Sequence, residues 1–152
     1  MFIPFFKQEN EDYCAPAVLQ MIFNYFNITI SQDELAKIAN TPRVGSFGTL
    51  NKDLVHTAMK YGLHCYAKEN ATIEEIQFFL HKNIPIVVSY INPDGEEGHF
   101  AIITDISSDI ITMNDPWNGK DTEISVENFL PRWRNGFEPG ERWMMAVSNK
   151  KF

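Results

Sequence analysis

The chain has few cysteines, a shortage of positive charge and no long apolar run, and each of these excludes a class of protein. Its two cysteines, Cys14 and Cys65, lie 51 positions apart and offer no disulfide framework of the kind that staples small secreted folds. There is no Cys-x-x-Cys pair and the four histidines are scattered, so a structural zinc lacks its usual ligand spacing. No metal or cofactor is expected. Thirteen basic against 20 acidic residues give a formal charge of −7, which argues against nucleic acid or an anionic membrane surface as partner. No segment approaches the roughly 18 consecutive apolar residues of a membrane helix, so no membrane insertion is expected. The opening Met1-Phe2-Ile3-Pro4-Phe5-Phe6 is too short for a signal-peptide core and lacks a basic start. A cytoplasmic location follows as the expectation, with both thiols free. At 152 residues and 44% apolar content, the chain reads as one domain over 1–152, able to bury one sizeable core.

Periodicity divides the chain in two. Val18, Met21, Ile22, Tyr25 and Phe26 recur at helical spacing over 14–27. Ser31-Gln32-Asp33-Glu34 reads as a capping box opening a helix to about Asn40, and Thr49 as the cap of a third over roughly 50–61, closed by Gly62. The stretch 41–48 reads as loop. A strand near 63–68 precedes a fourth helix that starts at the box Thr72-Ile73-Glu74-Glu75 and runs to about Lys82. The period then changes. Apolar strand signals cover 84–90 and 100–106, and Ser107-Ser108-Asp109 is a tight turn into 110–113, giving a hairpin. Asn118-Gly119 turns into a strand at 120–124, a helix follows from Ser125 to about Trp133, and 142–148 closes as a strand. The expected class is α+β, a helical N-terminal half packed on an antiparallel sheet.

Four polar residues stand out against this frame. Cys14 opens the first helix, where unpaired N–H groups and the helix dipole favour a thiolate, and Pro16 in the first turn costs no hydrogen bond. Taken alone, a lone cysteine is more often a small buried hydrophobe. His99 follows Gly98 at the mouth of an apolar strand, placed to present its ring to a cleft as a base for the thiol. Asp115 ends the partner strand of the hairpin, which brings it beside His99 to hold the imidazole tautomer; its other reading is an Asp-Pro turn. Gln8, six positions before Cys14, can offer an amide donor to an oxyanion together with the Cys14 backbone N–H, or be a surface glutamine. Phe47 and Trp117 border the same loops as candidate substrate contacts. Cys65 reads as a core thiol, and His56 and His81 as helix-surface residues. The loop 92–98 carries three carboxylates without the ligand spacing of a calcium loop, and reads as an acidic rim of the cleft that disfavours acidic peptides.

The runs Gln8-Glu9-Asn10-Glu11-Asp12-Tyr13-Cys14-Ala15-Pro16-Ala17, Ser31-Gln32-Asp33-Glu34-Leu35, Gly48-Thr49-Leu50, Gly98-His99-Phe100 and Asn114-Asp115-Pro116-Trp117 resemble the papain-like peptidases that cut double-glycine leader peptides, known as bacteriocin-processing domains of exporters and as stand-alone relatives. The resemblance spans roughly Phe5 to Ser148. It implies a papain-like cysteine peptidase fold, with Cys14 as nucleophile, His99 as base, Asp115 as orienter and Gln8 in the oxyanion hole. Where the family usually has glycine after the cysteine, this chain has Ala15, a change expected to narrow substrate approach; the Ala15-Pro16 pair is closer to the stand-alone branch. The substrate implied is a peptide or protein such as a leader peptide, and an ABC exporter serving as secretion partner is then a separate protein. The same nucleophile also serves an acyltransferase, and a related domain can bind a peptide without cutting it.

Overall fold

In a computed structural model, residues 1–41, 48–136 and 138–152 are described. Helices α1 (Cys14–Tyr25), α2 (Gln32–Ile38) and α3 (Asn51–Lys60) precede strand β1 (His64–Lys68) and helix α4 (Ile73–His81). Strands β2 (Ile86–Ile91), β3 (Gly98–Ser107), β4 (Ile110–Asp115) and β5 (Gly119–Ser125) follow. Helix α5 (Val126–Phe129), a 3₁₀ turn over Leu130–Arg132 and β6 (Met144–Ser148) complete the order. The six strands form one antiparallel sheet, ordered β1-β6-β2-β3-β4-β5.

Both faces of the sheet are covered. Val87, Phe100, Ile102, Met145 and Val147 pack under α1, α2 and α3, which contribute Leu19, Ile22, Leu35 and Leu54. Val88, Ile103, Met113 and Met144 face the other way, against Ile76 and Phe79 of α4, Phe129 and Trp133. Every residue of β2 is therefore buried, which explains why its text is a continuous apolar run. Helix ends follow local chemistry. Asn27, Asn40 and Asn83 adopt positive φ just beyond α1, α2 and α4, and Gly62 does so beyond α3, because these residues tolerate the left-handed conformation that stops a helix.

Three local expectations need correction. Thr49 does not cap α3; its hydroxyl is 2.8 Å from that of Thr41, and the helix is preceded by Leu50. The freed Asn51 N–H instead donates to Glu138 Oε2 at 2.8 Å, so a distant carboxylate serves the helix dipole. Thr72 and Glu75 form both halves of a capping box, whereas Ser31 supplies the hydroxyl half, accepting from Glu34 N–H. The last helix is only four residues long, since Pro131 leads into the 3₁₀ turn before Trp133.

One irregularity in the β3–β4 hairpin decides which residues can meet. Near the turn, Asp105 opposes Thr112; past a bulge at Thr104, Ile103 opposes Met113 and Ile102 opposes Asn114. Ile111 and Met113 of β4 and Ile106 at the turn end of β3 face α4, and strand alternation puts Asp115 on that same face. Without the bulge the even-numbered residues of β3 would keep that face and His99 would turn toward α1; the extra residue puts Ala101, Ile103 and with them His99 on the side of Asp115.

Backbones also meet without side chains between them. A Cβ built on Gly136 would lie 2.1 Å from Gly98 Cα, so the backbone at Gly136 can approach the start of β3 this closely because both positions are glycine. Gly136→Ala is therefore expected to destabilise the protein by about 1–3 kcal/mol, read as a lower urea midpoint with unchanged slope.

Candidate active site

Cys14 sits at the first position of α1, a helix with no acidic residue in its first turn and no side-chain cap. A helix N-terminus favours negative charge, the setting a thiolate nucleophile needs. The Cys14 thiol adjoins His99 and favours the charged form of that ring. His99 Nε2 lies 2.8 Å from Asp115 Oδ1, which leaves Nδ1 for the sulfur. Cys14, His99 and Asp115 are all buried, Asp115 completely.

A buried carboxylate is costly unless saturated with donors, and Asp115 is saturated. Oδ1 accepts from His99 Nε2 and from the backbone N–H groups of Trp117 at 2.9 Å and Asn118 at 2.8 Å. Oδ2 accepts from the Tyr90 hydroxyl and from Asn118 Nδ2 at 3.3 Å. Burial pushes the Asp115 carboxyl upward, but the His99 hydrogen bond and charge and the Tyr90 and Asn118 donors outweigh it and hold the pKa below the usual carboxylate range. For His99, burial works against the charged ring, and the hydrogen bonds and charges of Asp115 and Cys14 overcome it, leaving the imidazole well above its ordinary value. Burial also raises the Tyr90 hydroxyl, helped by the Asp115 charge, so it stays a donor. In the sequence Asn118 reads only as a turn residue and Tyr90 only as part of a strand. The signal for Tyr90 is its place opposite His99 across β2 and β3, which only the strand register reveals.

Gln8 is brought to the same cleft by the N-terminal segment. Its N–H donates to Pro116 O at 3.0 Å, one residue beyond Asp115. Buried Gln32 of α2 fixes that segment on both sides, donating to Lys7 O at 2.9 Å and accepting from Glu9 N–H at 3.0 Å. The Gln8 amide donates to Asn10 O at 2.8 Å and Glu11 O at 3.2 Å. Gln8, Cys14, His99 and half-exposed Trp117 all line one cavity of about 620 Å³. Phe47 lies outside the described residues. Ala15 does not border the cleft: it is fully buried in the core, so its methyl group faces packing and leaves the substrate's path open. Cys65 is half-buried on β1, its thiol pushed up to about 11 by burial.

A family profile described as "Peptidase_C39 like family" matches residues 2–137. The chain belongs to that family. No curated protein sequence matches it. Among solved structures it is similar to the peptidase domain of Streptococcus ComA, a bifunctional ABC transporter involved in quorum sensing, with 18% identity, 98% of this chain and 100% of that one covered, and a TM-score of 0.77. A C39-like peptidase from Bacillus anthracis aligns at 16% identity over 99% and 96% of the two chains, TM-score 0.72. A double-glycine-motif protease from an AMS/PCAT transporter, solved with its leader peptide, aligns at 16% identity over 96% and 91%, TM-score 0.71. The C39-like chain thus has the papain-like fold of these peptidase domains. Among the described residues no helix is long and apolar enough to cross a membrane, and no group of three or more His, Cys, Asp or Glu could hold a metal ion.

The Asp115 environment predicts two stability effects. Tyr90→Phe removes one charge-assisted hydrogen bond and is expected to cost about 1.5–3 kcal/mol near pH 7. Because the folded His99 value is raised, its contribution is complete below the unfolded value of about 6.5 and is lost as pH rises through the folded one. The difference in urea midpoint between the wild type and His99→Gln should therefore shrink as pH climbs above about 6.5.

Proposed function

We propose that this C39-like protein is a cysteine peptidase that cleaves a peptide through an acyl-enzyme on Cys14. The observation that carries this reading is the buried chain of contacts from Cys14 through His99 to Asp115 at the base of one cleft. In this reading the Cys14 thiolate attacks the scissile carbonyl, and the carbonyl electron pair moves onto oxygen. The Cys14 backbone N–H, which has no partner within the helix at that position, donates to this oxyanion. Gln8 Nε2 is the second donor, exchanging its longer bond to Glu11 O for the oxyanion. His99 Nδ1 gives its proton to the departing amine as the C–N bond breaks, then takes one from the water that attacks the thioester. The acid leaves and the thiolate is restored. Asp115 stays ionised and fixes the ring. The transporter peptidase domains that share the fold, one of them solved with its leader peptide, support a leader-type segment of a precursor as the substrate.

The test is competitive alkylation with limiting iodoacetamide at pH 7, read by peptide mass spectrometry. Cys14 should label at least about 100-fold faster than Cys65, whose burial keeps it protonated. His99→Ala should remove most of that advantage, and Cys14→Ala should abolish peptide cleavage. Equal labelling of the two thiols would remove the case for an activated nucleophile. Gln8→Ala should lower kcat by about 10²–10³ with little change in the Cys14 labelling rate, since the alkylation of a thiol builds no oxyanion.

A further inference from the structure

Carboxylates reach the cleft from two sides. Glu11 and Asp12 come from the segment that leads into α1, and Asp94, Glu96 and Glu97 from the β2–β3 loop. No lysine or arginine is among the described residues that line it. Glu96 is paired with Arg132 at 2.9 Å; the other four have no ion-pair partner among the described residues. The loop is held in shape, with Asn92 N–H donating to Glu97 O at 2.8 Å and Glu96 N–H to Asn92 O at 3.0 Å. Asn92 Oδ1 also accepts from Asn118 Nδ2, the amide that touches Asp115, so the acidic rim is braced against the catalytic end of β4. Trp117 lines the same cleft and leaves nearly half of its surface exposed. An indole face is the best aromatic platform for an ammonium or guanidinium group. A concave site lined by one sign of charge also focuses its potential and concentrates ligands of the opposite sign.

We infer that the cleft selects peptides that carry lysine or arginine in the segment it holds, with Glu11, Asp12, Asp94, Glu97 and the Trp117 ring as the specificity-determining groups. This rests on the peptidase reading for where the peptide lies, but not for the charge preference itself. Neutral and acidic peptides of the same length enter less favourably. The preference is electrostatic, so it weakens as salt rises; the Debye length falls from roughly 30 Å at 0.01 M to about 10 Å at 0.1 M.

The experiment uses internally quenched peptides of randomised sequence in which one position at a time is fixed as Lys, Gln or Glu. Two quantities are read on the full chain: cleavage by the wild type, and binding to Cys14→Ala by fluorescence anisotropy. At low salt the Lys-fixed sets should exceed the Glu-fixed sets at least about tenfold at one or more positions in both assays. That ratio should fall several-fold at about 0.3 M salt. In Asp94→Lys/Glu97→Lys the ratio within the variant should approach one or invert, and in Asp94→Asn/Glu97→Gln it should fall part of the way. A ratio taken within each variant does not depend on how much of that variant folds. Cleavage with a Lys-to-Glu ratio of one or less would overturn the charge inference and leave the peptidase reading standing. A Lys preference in binding without any cleavage would do the reverse.

Discussion

The Asp115 carboxylate is the group on which the site's geometry depends. It is wholly buried and ionised, a state that survives only because five donors converge on its two oxygens. Two donors are backbone N–H groups of the turn that follows, two are side chains from β2 and that turn, and one is His99. The same network therefore shapes the β4–β5 connection, positions Trp117 at the cleft and sets the imidazole plane. Burial acts on His99 and Asp115 in opposite senses, raising the acid and lowering the base, and each is reversed mainly by the other. The pair is stable as a charged unit, and removal of either member leaves the other uncompensated in the core.

The rest of the fold can be understood as what brings Cys14 to that unit. Helix α1 is buried along nine of its residues, so its N-terminus has a fixed place over the sheet. The segment before it is pinned at Ile3 by Asn114, at Lys7 and Glu9 by Gln32, and at Gln8 by Pro116. Asn114 and Pro116 flank Asp115. The strand that carries Asp115 thus also anchors the segment that carries Gln8, so the position of Gln8 is referenced to β4.

Much of this was legible in the text of the chain, and the misses share a cause. Helix starts at Ser31 and Thr72, the helix stop at Gly62 and the turn at Asn118-Gly119 are written locally, because they depend on side chains within four residues of one another. The hairpin was legible too, but its bulge at Thr104 was not. Without that extra residue His99 would turn to the face opposite Asp115, so the expectation that sets the two side by side lacks the feature that aligns them. Thr49 misled because a distant carboxylate, Glu138, took over the helix end. Tyr90 and Gln32 escaped notice for the same reason: their partners are 25 residues away, Asp115 for Tyr90 and Lys7 for Gln32. Long-range polar contacts leave no period in a sequence.

The raised basicity of His99 makes it an imidazolium at neutral pH, beside the Cys14 thiol on one side and Asp115 on the other. The direct measurement is ¹⁵N NMR of histidine-labelled protein across pH 5 to 10. Both His99 ring nitrogens are expected to remain protonated well past pH 7. A His99 ring with one bare nitrogen at pH 7.5 would contradict this.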